Sequence, residues 1–375
     1  MLRVLHVHSG NLFGGVERVM LSLSGVDPAV VPLQHEFALC FPGRLERELK
    51  ERGARVHPLG EVRARKPWSV WKARRRLRRL LREEGFDVLM TQSVWAQAMF
   101  GATAQRAGTL QVAWIHDVVD GKHWLQRIAR RSPPDRAVCN SRFTASRLPL
   151  LYPGVPSDVV YCPLEHTPET NPAVRSAVRK EYGLSDGEVL ILHLGRLEPF
   201  KGHALLLDAL ARVRDIPRWT CWIVGNVQRP EEALYLRSLQ RRAEKHGLTK
   251  RVRFFEYEGN VARLFAAADV YCQPNAGPEA FGLTFIEAMH AGLPVVTTNF
   301  GGGAEVVDGC GLLVEPGSVR SLAGALFSLL DEDGGASEVR STGAEERRQR
   351  ARALTDPTEQ SALLAGILEE MVATG

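Results

Sequence analysis

Twice in this chain a short apolar strand runs into a glycine-rich turn and then into a helix with one apolar face. The first instance is Leu2–His8, followed by Gly10-Asn11-Leu12-Phe13-Gly14-Gly15 and by Val16, Val19, Met20 and Leu23 at helical spacing. The second is Val189–Leu194, followed by a turn from Gly195 to Gly202 and by Leu206, Ala209, Leu210 and Val213. Further apolar strands are predicted at 87–91, 111–115 and 137–139, then at 220–224, 252–255, 270–273 and 295–298. Asn260 is placed to cap a helix carrying Val261, Leu264, Phe265 and Ala268 inward. Strands of this kind alternating with amphipathic helices form doubly wound parallel sheets, so the fold class is α/β.

A chain of 375 residues suits two such domains, each with its own core. Residues 163–172 contain Pro163, Pro168 and Pro172 with little hydrophobicity and read as a linker. The expected division is 1–165, 166–352 and a terminal segment 353–375 with an amphipathic helix over 359–372. Residues 334–352, polar and rich in Arg and Glu, read as a loop and a solvated helix.

Composition narrows the function. Apolar residues are 45% and charged residues 24%, and no apolar run approaches the ~20 residues of a membrane span. The start of the chain lacks the layout of a signal peptide, and six cysteines are scattered without paired or metal-like spacing. The expectation is a cytoplasmic protein with reduced thiols. The net charge of +5 comes with no nucleic-acid motif, so no nucleic-acid partner is expected. Asp331-Glu332-Asp333 reads as a solvated turn, and no metal site is expected.

Chemistry concentrates in three places. Glu279 and Glu287 are separated by seven residues, one ahead of and one inside a helix that opens near Gly282 and ends at Gly292. A loop carboxylate, the free amides around Phe281-Gly282-Leu283 and a second carboxylate could hold a sugar, a phosphate and a ribose in a row. Gly195-Arg196-Leu197-Glu198-Pro199-Phe200-Lys201-Gly202 follows a strand, where open α/β sheets bind ligands. Its Arg196 and Lys201 suit a diphosphate. The first turn, through Gly14 and Gly15, does not fit Gly-x-Gly-x-x-Gly, which argues against a dinucleotide oxidoreductase. Glu17 either acts there or anchors the helix. His116, at a strand end, is a hydrogen-bond partner, a proton shuttle or a structural histidine. His8 and His193 read as structural. In Asn140-Ser141-Arg142-Phe143, helix capping explains the Asn and Ser as well as ligand contact does.

The segment from Glu279 to Val296, with its Phe281-Gly282-Leu283, Glu287-Ala288-Met289 and Gly292-Leu293-Pro294 elements, resembles the Glu-x7-Glu signature of retaining glycosyltransferases of family 4. Their fold is GT-B, two Rossmann-like doubly wound domains facing a central cleft. The stretch from Gly195 to Gly202 is similar to the family segment whose Arg and Lys hold the nucleotide diphosphate. Gly14-Gly15-Val16-Glu17 resembles its Gly-Gly-x-Glu turn, where bare backbone approaches the donor. His116 matches a donor-sugar-binding histidine. The resemblance implies that the first domain takes the acceptor, the second takes the nucleotide sugar, and the terminal helix crosses back to the first. It implies a catalytic set of Glu279, Lys201, Arg196 and His116, with Glu279 on sugar hydroxyls and Glu287 on the ribose. Transfer of a hexose would proceed with retention and without metal or cofactor, from a UDP- or GDP-linked donor to a glycan, lipid-linked or small-molecule acceptor. Where many members read Asn-Gly-Val-Asp, this chain has Cys162-Pro163-Leu164-Glu165-His166, so neither donor nor acceptor identity carries over. The rivals are a nucleotide-sugar epimerase or hydrolase of the same fold and a non-catalytic sugar-binding protein.

Residues 63–82 hold ten basic side chains together with Trp68 and Trp71. Val70, Ala73, Leu77 and Leu80 make a narrow apolar stripe. Such a helix either sits on an anionic membrane, at the inner face and within reach of a lipid-linked acceptor, or packs its stripe on the first sheet under a solvated basic face.

Overall fold

The computed structural model describes residues 1–165, 171–185, 187–257, 260–330 and 341–374. Residues 166–170 of the expected linker, and Asp331-Glu332-Asp333, lie outside the described residues. The chain divides into two compact units, Met1–Glu165 with Leu354–Gly375, and His166–Ala353.

The first unit is built on strands β1 (Leu2–His8), β2 (Leu33–Leu39), β3 (Val56–Pro58), β4 (Val88–Thr91), β5 (Leu110–Ile115), β6 (Arg136–Cys139) and β7 (Ser157–Val159). They pair in parallel in the order β3-β2-β1-β4-β5-β6-β7. Of these, β2, β3 and β7 escaped the sequence reading. β3 and β7 are three residues each, too short for a period to register. β2 hides a charge inside a buried strand: Glu36 is fully buried, 2.7 Å from Arg3 and 2.7 Å from His57. With Arg55 at 3.5 Å and the Gln34 amide donating at 3.3 Å, four partners make that burial tolerable.

Helix Pro357–Thr374 belongs to this unit. It buries Leu364, Leu368 and Met371, its Gln360 accepts from the Tyr161 amide at 2.9 Å, and its Glu370 pairs with Arg136 at 3.2 Å. Helix Pro67–Glu84 packs Ala73, Leu77 and Leu81 into the same core, with Val70 and Leu80 against it. The apolar stripe is therefore spent on folding.

The second unit holds β8 (Val189–Leu194), β9 (Trp219–Val224), β10 (Val252–Phe255), β11 (Val270–Gln273), β12 (Val295–Thr298) and β13 (Leu312–Val314). The order is β10-β9-β8-β11-β12-β13, again parallel. Only the three-residue β13 was missed by the sequence reading. Asp269, fully buried ahead of β11, is held by Arg175 at 2.5 Å and Arg179 at 3.1 Å, a buried charge neutralised from two sides. Helix Ala344–Thr355 is less solvated than its composition predicts: Arg347 is buried and donates twice to the Gly292 carbonyl, at 3.0 and 2.9 Å. It thereby satisfies the carbonyl of the glycine that follows the C-cap of helix Leu283–His290.

Candidate functional site

In each sheet the chain winds outward from a central strand first to one side and then to the other. The reversal falls between β1 and β4 in the first unit and between β8 and β11 in the second. Ligands of open α/β sheets bind at the carboxyl ends of the strands at such a reversal. The segments that leave β8 and β11 carry Lys201 and Glu279; those that leave β1 and β4 carry Gly14 and Gln92.

In the second unit Lys201 Nζ lies 2.6 Å from Glu279 Oε2, with the two side chains 13% and 16% exposed. Gln273 and Asn275 each point an amide nitrogen at the same carboxylate oxygen, at 3.4 Å. Both are buried polar residues at the end of an apolar strand, and sequence reasoning passed over them. The Lys201 turn is tied down on both sides. His193 meets the Lys201 carbonyl at 3.0 Å, and the Phe200 carbonyl accepts from Ala276 N at 2.7 Å. Gly202 makes this approach possible: at φ +77°, a Cβ there would sit 1.8 Å from the Pro274 carbonyl oxygen.

Glu279 is fixed through its backbone as well, because its carbonyl accepts from Gly302 N at 2.7 Å. The Gly301-Gly302-Gly303 run is a second feature the sequence reading left unused. Helix Leu283–His290 then starts from Gly282, at φ +95°, where any Cβ would collide with the Phe285 ring. Leu283 and Thr284 precede the helical ladder, so their amides face outward from its first turn. Phe281 is buried beside them, and Glu287, one turn on, is 3% exposed. Both glutamates act electrostatically on the buried Tyr271 hydroxyl, whose pKa is raised first by burial and then by these neighbours. Arg196 stands apart: its guanidinium is 59% exposed and pairs with Glu198 at 3.0 Å. Burial holds His193 at a pKa of about 4 and His203, at 4.2 Å between ring centroids, at about 2, so both are neutral. The loop after β10 is committed internally: Asn226 bonds both the amide and the carbonyl of Tyr257, at 2.9 and 3.3 Å.

In the first unit Gly14 and Gly15 lie exposed at the start of helix Gly15–Ser24. Glu17 is an anchor. One carboxylate oxygen accepts from Gly14 N at 2.8 Å and the other meets His8 Nε2 at 2.7 Å. Burial would raise its pKa, but these bonds outweigh burial and hold it below the usual value. His116 Nε2 meets the Gln92 carboxamide oxygen at 2.8 Å, and its ring stacks on Trp114 at 5.3 Å. Burial, with His8 nearby, lowers the His116 pKa to about 3, so the ring is neutral near neutral pH and carries a single proton, on one of its two nitrogens. Ser141 caps helix Arg142–Arg147 by accepting from Thr144 N at 3.0 Å, and Asn140 Oδ1 accepts from the Thr144 hydroxyl at 3.0 Å. Capping, left open by the sequence, accounts for the pair.

Residues 174–350 match the family described as Glycosyl transferases group 1, and residues 13–167 match Glycosyltransferase Family 4. The lipopolysaccharide core biosynthesis mannosyltransferase LpsB of Rhizobium meliloti is 26% identical over 272 residues, 71% of this chain and 70% of that protein. A GDP-mannose-dependent alpha-(1-6)-phosphatidylinositol monomannoside mannosyltransferase of Mycolicibacterium smegmatis is 32% identical over 282 residues, 68% and 70% of the two chains. Among solved structures, Anabaena HepE in complex with UDP and glucose superposes with a TM-score of 0.82 at 22% identity, over 98% of this chain and 100% of that one. WaaG, a glycosyltransferase of lipopolysaccharide biosynthesis, gives 0.68 at 19% identity over 98% and 99%. These neighbours establish the GT-B fold. With both halves matched and more than two thirds of a relative covered at 32% identity, the chain belongs to the group 1 glycosyltransferases of family 4.

Proposed function

We propose that this glycosyltransferase moves a hexosyl group from a nucleoside-diphosphate sugar to a glycan, lipid-linked or small-molecule hydroxyl, with retention and without a metal. The observation that carries the reading is the Lys201–Glu279 pair, 2.6 Å apart at the β8/β11 reversal and beside the first turn of helix Leu283–His290. The bond from the anomeric carbon to the diphosphate oxygen breaks, and negative charge develops on the diphosphate. Lys201, Arg196 and the amides around Phe281-Gly282-Leu283 meet that charge. The acceptor oxygen forms the new bond on the face the diphosphate leaves, and its proton goes to the departing phosphate oxygen. Glu279 holds sugar hydroxyls and Glu287 the ribose, while the Gly14-Gly15 backbone lines the donor's approach on the first unit, which takes the acceptor. Work on lipopolysaccharide- or phosphatidylinositol-linked glycans fits the names of two relatives, and the proposed place of that work is the inner face of a membrane. Among the described residues no helix is long and apolar enough to cross a membrane.

The donor is identified by a thermal-shift panel of UDP-, GDP- and ADP-sugars, since a ligand at 100 times its Kd stabilises by ~2.7 kcal/mol. Turnover is then followed with and without candidate acceptors, in the presence of a chelator. Acceptor-dependent release of diphosphate with the anomeric configuration kept is the expected result. Isomerisation or hydrolysis indifferent to acceptor points to the epimerase-type rival, and a shift without turnover points to a binding protein.

A further inference from the structure

Behind His116 runs a line of buried polar side chains that the mechanism above does not use. The Gln92 carboxamide oxygen accepts from His116 Nε2 at 2.8 Å. The Gln92 amide nitrogen donates to His6 Nδ1 at 2.7 Å, and His6 Nε2 meets His35 Nδ1 at 2.8 Å. His6 and Gln92 are fully buried. The geometry is set by the sheet: His6 lies on β1, His35 on its neighbour β2, and Gln92 directly after β4, where its own amide donates to the Val7 carbonyl at 3.1 Å.

Such a line has a direction. A carboxamide donates only from nitrogen and accepts only at oxygen, and a neutral imidazole has one nitrogen of each kind. With the Gln92 nitrogen on His6 Nδ1, His6 must carry its proton on Nε2, which makes His35 Nδ1 an acceptor. With the Gln92 oxygen on His116 Nε2, the His116 proton must be there. The remaining ring atom of His116, Nδ1, is then a bare lone pair at the carboxyl ends of the strands.

We propose that Gln92 is a positioning residue which, backed by His6 and His35, fixes His116 in the tautomer protonated on Nε2, so that Nδ1 accepts a hydrogen bond from a substrate hydroxyl. A phosphate or carbonyl oxygen, which can only accept, finds no partner at that atom. The consequence for a substrate rests on the glycosyltransferase reading; the tautomer does not. Burial that keeps His6, His35 and His116 neutral supports the arrangement, because a charged ring would donate from both nitrogens and break the line.

The test begins on the whole protein without substrate. Imidazole nitrogen NMR of the 15N-histidine-labelled chain near neutral pH is expected to give His116 as a single tautomer, bare at Nδ1. In Gln92→Leu that signature should be lost. The opposite tautomer, a mixture of the two or a cationic ring in the parent protein overturns the proposal, whatever the enzyme turns over. In the kinetic arm, Gln92→Leu should lower kcat/KM by about tenfold, the loss of one modest hydrogen bond. Added to His116→Ala it should lower it no further, since both substitutions remove one interaction. Full additivity overturns the positioning role, because a general loosening of the sheet would act independently of His116. Should Gln92→Leu fail to fold, the parent spectrum alone still decides. If no donor supports turnover, the function reading falls while the tautomer remains testable.

Discussion

The two sheets reverse at equivalent places and arm those places with opposite chemistry. The second unit sets a lysine against a carboxylate, both mostly withdrawn from water and beside a helix start. The first sets neutral imidazoles and an amide at the ends of β1, β4 and β5, with exposed glycines after β1. A paired lysine in a site of low dielectric is positioned to meet an anion that forms during reaction. Neutral rings neither attract nor repel a diphosphate, but they can sort hydroxyls by direction of donation. On the proposed reading, charge stabilisation and hydroxyl recognition are divided between two copies of one topology.

The largest expected effect tests that division. Lys201→Met should lower turnover by about 10²- to 10³-fold, as the loss of one preorganised contact to developing charge does. The fold should persist, because Glu279 keeps Gln273 and Asn275 within 3.4 Å and its backbone bond from Gly302. His116→Ala should cost only about tenfold, the scale of a neutral hydrogen bond. Steady-state kinetics on both variants, with thermal melts as the folding control, make the comparison; equal losses would erase the distinction between the units.

Next in size is a split within the second unit. Glu287→Ala should weaken the free nucleoside diphosphate by about 10- to 100-fold, the range for a hydrogen bond to a charged group. Glu279→Ala should leave that affinity near its parent value and reduce turnover. Calorimetry with the diphosphate alone decides between them. If both variants lose diphosphate affinity alike, Glu279 serves the phosphate through Lys201 and the assignment to sugar hydroxyls fails.

Much of this second site could be read from residue order. β8, β10, β11 and β12 have the predicted bounds because each is a compact apolar run closed by a polar turn. Lys201 and Glu279 stood out as charges beside helix starts. Gln273, Asn275 and the Gly301-Gly302 clamp did not, since what they do depends on neighbouring strands bringing distant residues together: Thr297 and Thr298 hydroxyls donate to the Gln273 and Asn275 carbonyls at 2.9 Å. The first unit was less legible for the same reason. Gln92 and His6 are unremarkable singly, and only the pairing of β1 with β4 and β5's position beside β4 align them with His116. The basic helix was legible in its periodicity but not in its charges. Arg74 and Arg76, two of the ten basic side chains of residues 63–82, donate to the Met99 and Leu59 carbonyls at 2.6 and 2.8 Å.

That helix supplies the smallest effect, and it concerns the first unit alone. Core packing uses its apolar stripe, yet Trp68 and Trp71 remain 74% and 51% exposed, edge to face at 6.1 Å. Arg75 lies 5.7 Å from the centre of the Trp71 ring. Beside them Lys66, Trp68, Ser69, Lys72 and Arg76, with Leu59, Gly60 and Glu61, line an open cavity of about 460 Å³. Exposed tryptophan next to lysine and arginine is the composition of a surface that rests at the headgroup level of an anionic bilayer. Each basic residue near such a surface contributes about 1 kcal/mol, roughly a fivefold change in partitioning, and the attraction fades within a Debye length of about 10 Å at 0.1 M salt. Lys72→Gln should therefore lower sedimentation with anionic vesicles about fivefold at low salt and leave donor-induced thermal shifts unchanged. The parent protein should release as salt is raised and should ignore neutral vesicles. Equal partitioning onto both kinds of vesicle, or none onto either, would return this face to a solvated cover over the first sheet and confine substrate handling to the two strand reversals.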